Sequence, residues 1–222
     1  DFRSEMNART ARQIDRAQPD LTPGEKYLRT LEHLGSGSLI SDVSQYTLNN
    51  LQKSYAQLDQ GTVEQIVDIL LRSDRKYIAG FRGTACCAQY MASKLLFLTP
   101  HVVPILHADA TAVENLLDIT ERDCLFLYSF PRYSEIARPL MEIARESGAK
   151  VILMTDRRTS PLANKADVVV TAQVDGLGFT NSYVAPLSLS EVILLSVSGR
   201  KDVTDSKRFN RIDSVMEREK LY

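Results

Sequence analysis

The spacing of apolar positions changes at about Gly61. Before it, Leu28, Leu31 and Leu34, then Leu48, Leu51, Tyr55 and Leu58, recur at helical intervals, interrupted at Pro19-Asp20, Pro23-Gly24 and Gly35-Ser36-Gly37-Ser38. Residues 1–60 therefore read as a helical lead-in. From Gly61, Thr62 and Gln65 make a capping box for a helix whose Val63, Ile66, Val67 and Leu70 share one face, and the main domain, 61–222, is expected to begin here.

Beyond that helix, short β-branched runs alternate with longer amphipathic stretches. Tyr77-Ile78-Ala79, Val102 to Leu106, Leu125 to Tyr128, Val151 to Met154 and Val168 to Val170 are predicted as five strands. Helices are predicted around Ala85 to Leu98, Thr111 to Ile119 and Glu135 to Ser147, the last closed by Gly148 as a C-cap. Pro139 falls inside the last of these and predicts an irregular first turn. Buried strands alternating with helices imply an α/β fold, a three-layer αβα sandwich around a five-stranded parallel sheet. Pro104 cannot donate to a central ladder, which puts the second strand at an edge and favours the order 2-1-3-4-5. The switch point of that order lies between strands 1 and 3, so a ligand is expected beyond their carboxyl ends.

Composition narrows the function classes. A chain of 222 residues with a formal net charge of −1 has no Lys/Arg block and lacks the electrostatic footprint of a nucleic-acid surface. Cys86, Cys87 and Cys124 have no metal-ligand spacing, and a reduced, cytoplasmic chain without metal or cofactor is expected. No apolar run reaches the length of a membrane span, and Asp1-Phe2-Arg3-Ser4 does not read as a signal peptide.

The chemistry gathers at two loops. Gly80-Phe81-Arg82-Gly83-Thr84 follows strand 1 and opens a helix. Its glycines permit a tight turn, free N–H groups at the helix start favour an anion, and Arg82 and Thr84 add donors. Ser129-Phe130-Pro131-Arg132-Tyr133-Ser134 repeats the arrangement after strand 3, with Ser134 placed as the N-cap of the next helix. Either loop alone also reads as an ordinary capped β-α turn beside a solvated arginine. Together, flanking one switch point, they read as a phosphate-directed crevice.

These residues carry a resemblance to the sugar isomerase (SIS) domain, and in particular to RpiR-type transcription regulators. The usual SIS pattern is Gly-x-Gly-x-Ser after strand 1 and Ser-x-Ser-Gly-x-Thr after strand 3. Gly80, Thr84, Ser129 and Ser134 match it, whereas Arg82, Gly83, Pro131 and Arg132 depart. A branch of the regulators is similar in those departures, and also in Thr155-Asp156, Ser160-Pro161-Leu162-Ala163, Ala166-Asp167-Val168 and Phe179 to Pro186. The resemblance implies a flavodoxin-like SIS fold over 61–222 that binds a phosphorylated sugar effector and packs as a homodimer or higher homo-oligomer. It also implies a helix-turn-helix DNA reader before Asp1, with Asp1 to Met6 as its tail. Arg9, Arg12 and Arg16 share a helix face there and read as solvated.

SIS folds also serve aldose-ketose phosphosugar isomerases, so catalysis is the rival expectation. It requires a base near the carbon that loses its proton and an electrophile for the enediolate. Glu191 is the candidate base, although its neighbours Leu187, Val192 and Leu195 equally suit a half-polar helix. His107, at the carboxyl end of strand 2, is a weaker effector contact, and His101 lies at the opposite end. Asp109 either meets sugar hydroxyls or caps the helix near Thr111. The expectation is a sensor: Gly80, Arg82, Gly83, Thr84, Ser129, Arg132, Tyr133 and Ser134 around the ligand, with His107 and Asp109 further out.

Overall fold

A computed structural model of the chain describes residues 22–34, 39–178, 180–200 and 206–220. Asp1 to Met6, Arg9, Arg12 and Arg16, Gly35 to Ser38 and Phe179 lie outside the described residues. Strands β1 (Lys76–Gly80), β2 (Val102–Ile105), β3 (Cys124–Tyr128), β4 (Lys150–Thr155) and β5 (Val168–Thr171) form one five-stranded sheet. Every pairing is parallel and the order is 2-1-3-4-5, as Pro104 predicts. Pro104 sits on the edge strand, opposite Ile78.

The helices are α1 (Pro23–Leu34), α2 (Leu39–Gln57), α3 (Gln60–Arg72), α4 (Ala85–Leu98), α5 (Ala110–Glu114), α6 (Ala137–Glu146), α7 (Val184–Ser198) and α8 (Ser206–Arg218). Alternate residues of each strand feed two cores, because successive side chains leave a strand on opposite faces. Ile78, Phe126 and Ile152 pack with α3, α4 and α7, while Tyr77, Leu125 and Val151 pack with α5 and α6. The connections after β1 and β3 therefore diverge to opposite faces, and a crevice opens between those strands at their carboxyl ends.

Several boundaries differ from expectation. Helix α3 begins at Gln60, because Asp59 is the cap: its carboxylate accepts from the Thr62 N–H at 2.9 Å and the Thr62 hydroxyl at 2.6 Å, which holds its pKa below the ordinary value. Thr62 is thus the capped residue rather than the capping one. Helix α5 stops at Glu114, and turns carry the chain through Leu116 and Ile119, which are buried all the same. Helix α2 is fastened to the body of the fold. Its buried Asn50 donates to the Asp175 carbonyl at 2.6 Å, and its buried Ser54 hydroxyl accepts from the Gln173 N–H at 2.8 Å. These bonds hold the segment that leaves β5 and returns toward the crevice.

No helix among the described residues is long and apolar enough to cross a membrane.

Candidate functional site

The loop after β1 is held by its own polar groups. The buried Thr84 hydroxyl accepts from the Phe81 N–H and donates to the Phe81 carbonyl, both at 2.8 Å. Thr84 is therefore committed to shaping the turn, contrary to the ligand donor that the sequence suggests. Both glycines are required by contact: a Cβ on Gly80 would stand 2.5 Å from the Thr84 carbonyl oxygen, and one on Gly83 would stand 2.7 Å from the Tyr183 ring. Between them Arg82 adopts a left-handed backbone, φ 54°.

The loop after β3 is anchored differently. Ser129 extends the β3–β4 ladder by donating its N–H to the Met154 carbonyl at 3.0 Å, but its hydroxyl, on a residue only 4% exposed, has no hydrogen-bond partner. Arg132 is left-handed, φ 67°. Ser134 does not cap a helix with its side chain, because α6 starts two residues later than that role requires. Pro139 explains the delay: it occupies the third position of α6, where its missing N–H breaks no helical bond. Tyr133 turns away from the crevice, its hydroxyl donating to Asp156 at 2.7 Å.

Between the loops lies a cavity of about 380 Å³. Phe81 to Thr84 form one wall, Tyr128 to Arg132 with Ser134 the other, and Thr180, Asn181 and Tyr183 close the third side. Tyr183 packs edge-on against Phe130, with ring centroids 5.9 Å apart, and Asn181 donates to the Pro131 carbonyl at 3.4 Å. Burial raises the Tyr183 pKa above its ordinary value, so its hydroxyl stays protonated. The Tyr128 hydroxyl is likewise kept neutral by burial and is paired with Ser190 at 2.7 Å. The described lining thus contains two arginines, a free buried hydroxyl and no carboxylate or imidazole.

The sequence-predicted residues divide accordingly. Arg82, Gly83, Thr84, Ser129, Arg132 and Ser134 line the cavity; Gly80 lies just behind it and Tyr133 does not reach it. His107 is exposed beyond β2 and outside the lining. Asp109 caps α5, accepting from the Thr111 N–H at 3.1 Å. Glu191 accepts from the Tyr90 hydroxyl at 2.6 Å in a separate groove beside α4 and α7. Thr180, Asn181 and Tyr183 escape sequence reasoning as site residues, since only the fold brings them to the loops.

The sequence matches the SIS domain family over residues 69–196, more than half of its length. The chain belongs to the SIS domain family. A search of curated proteins finds no match. Among solved structures, this SIS domain is similar to the sugar isomerase domain of an RpiR transcription factor from Sphaerobacter thermophilus, at 22% identity and a TM-score of 0.76, covering 80% of this chain and 99% of that one. It is similar to the Vibrio vulnificus NanR protein complexed with ManNAc-6P, at 16% identity and a TM-score of 0.70, covering 84% of this chain and 71% of that one. It is also similar to a Methanococcus jannaschii protein whose structure led to an inferred 3-hexulose-6-phosphate isomerase function, at 14% identity and a TM-score of 0.61, covering 78% and 96%. At these identities the likeness is one of fold, and the SIS fold spans both regulators and isomerases.

Proposed function

We propose that this SIS domain is the effector-sensing part of an RpiR-type transcription regulator and that it holds the phosphate of a sugar between the loops after β1 and β3. The observation that carries this reading is the buried Ser129 hydroxyl, which lacks a protein partner and lies in a cavity also lined by Arg82 and Arg132. An unsatisfied buried hydroxyl costs about 1–3 kcal/mol, and a bound phosphate oxygen is the kind of acceptor that removes the cost. The fold likeness to the RpiR factor and to NanR with its sugar phosphate supports the same reading. In it, DNA is gripped by a helix-turn-helix domain outside these residues, residues 1–60 link that reader to the sensor, and the sensor pairs as a homodimer or higher homo-oligomer.

The isomerase reading is less well supported. Proton transfer needs a base within reach of the substrate carbon, and the described lining offers none, while Glu191 is engaged by Tyr90 in another groove. The deciding experiment is a thermal-shift screen of phosphorylated sugars and amino sugars, run beside an aldose-ketose interconversion assay. Stabilisation is expected with at least one ligand, worth about 2.7 kcal/mol at 100 times its dissociation constant. Turnover by the purified chain, abolished by Glu191→Gln, would overturn the sensor reading.

A further inference from the structure

Arg82 and Arg132 share an unusual property: both adopt left-handed backbone, the conformation that favours glycine. For a side chain other than glycine that conformation is sterically disfavoured, because Cβ crowds the following carbonyl oxygen. The fold places an arginine on such a backbone twice. Neither arginine has a carboxylate partner among the described residues, and no carboxylate lines the cavity they share. Strain at two exposed arginines that line one cavity and have no acidic partner among the described residues points to an anionic ligand.

The two loops differ in what accompanies the arginine. Arg132 shares its loop with the free, buried Ser129 hydroxyl and with Ser134, so this side offers a complete phosphate cradle of guanidinium and hydroxyls. In the loop after β1 the Thr84 hydroxyl is committed to Phe81, which leaves Arg82 as the only polar side chain not engaged within that loop. A phosphate seated at Ser129 and Arg132 therefore leaves a second arginine, Arg82, in the other loop that lines the same cavity of about 380 Å³. The neutral hydroxyls of a sugar are poor partners for a guanidinium, whereas a carboxylate or a second phosphate suits its paired donors.

We propose that the ligand is a sugar derivative with two anionic groups, a bisphosphate or a phosphorylated sugar acid, with Arg132 and Ser129 on one group and Arg82 on the other. This rests on the phosphosugar reading and assigns Arg82 the selection of the second charge.

Isothermal titration at fixed ionic strength, with probes in matched pairs, tests it: glucose 6-phosphate against 6-phosphogluconate, fructose 6-phosphate against fructose 1,6-bisphosphate, and ribulose 5-phosphate against ribulose 1,5-bisphosphate. In the tightest-binding pair the doubly anionic member is expected to bind at least tenfold more tightly, about 1.4 kcal/mol. Arg82→Gly is expected to abolish that ratio, and Arg132→Gly to weaken both members. Circular dichroism confirms that both variants fold, as a left-handed position should allow for glycine. Equal or tighter binding of the monophosphates would overturn the inference and leave the phosphosugar reading standing. So would an Arg82→Gly variant that weakens both members by one factor, because both arginines would then grip a single phosphate. If no phosphorylated probe binds, both readings fall.

Discussion

The two ends of the sheet bury polar groups in opposite ways. At the amino end Asp123, only 2% exposed, accepts from the Arg75 N–H at 2.9 Å, the Thr120 N–H at 2.8 Å and the Thr120 hydroxyl at 2.9 Å. Lys76 is 3% exposed and donates to the Thr99 hydroxyl at 2.9 Å and the Pro100 carbonyl at 3.3 Å, its pKa lowered by desolvation. Even the left-handed His101 is tied in, its carbonyl accepting from the Lys76 N–H at 3.0 Å. At the carboxyl end the Ser129 hydroxyl is buried without a partner, and two strained arginines share a cavity with no acid among its described lining residues. The first arrangement closes on itself and serves stability. The second is incomplete, which is where departures from local rules are expected to mark function.

The contrast can be broken by substitution, in decreasing order of expected loss of stability. Asp123→Ala strands three donors at the closed end and is expected to cost roughly 3 kcal/mol or more in urea unfolding. A loss below about 1 kcal/mol would mean that this end relaxes as readily as the cavity. Gly83→Ala drives a Cβ into the Tyr183 ring, at a cost of about 1–3 kcal/mol, and should also weaken sugar phosphate binding because the third wall of the cavity moves. Arg132→Gly relieves a left-handed side chain, so it should leave stability unchanged or raise it by about 1 kcal/mol while reducing phosphosugar affinity at least tenfold. Ser129→Ala should cost no stability and raise that of the unliganded chain by about 1–3 kcal/mol, since the hydroxyl it removes is buried and unpaired, yet still weaken the ligand by about tenfold. Loss of stability in Ser129→Ala comparable to that of Asp123→Ala would erase the distinction between the two ends.

Much of the architecture was legible in the sequence because it rests on local rules. A single proline in a predicted strand located the sheet edge, and with it the switch point and the two loops that flank the cavity. What remained hidden depends on contacts distant in the chain or on backbone geometry. Tyr183 and Asn181 reach the cavity only because the segment after β5, tied to α2 at Gln173 and Asp175, returns to it, and no spacing rule announces that return. The left-handed backbone of Arg82 and Arg132 could not be read from residue types that ordinarily avoid it. Thr84 and Ser134 look alike as hydroxyls after a turn, but the first is engaged by Phe81 and the second stays uncommitted because Pro139 delays α6. Asp59 is hidden as a cap because Thr62 and Gln65 fit the capping-box spacing, although the carboxylate takes the Thr62 donors itself.

The central claim is that the incomplete end of the sheet is completed by a sugar phosphate. A crystal structure of the chain with the tightest-binding phosphorylated sugar tests it most directly. The account predicts a phosphate oxygen at hydrogen-bond distance, about 3 Å, from Ser129 Oγ, with the Arg132 guanidinium beside it. A phosphate bound elsewhere, such as the groove next to Tyr90 and Glu191, with the Ser129 hydroxyl still unpartnered, would contradict it.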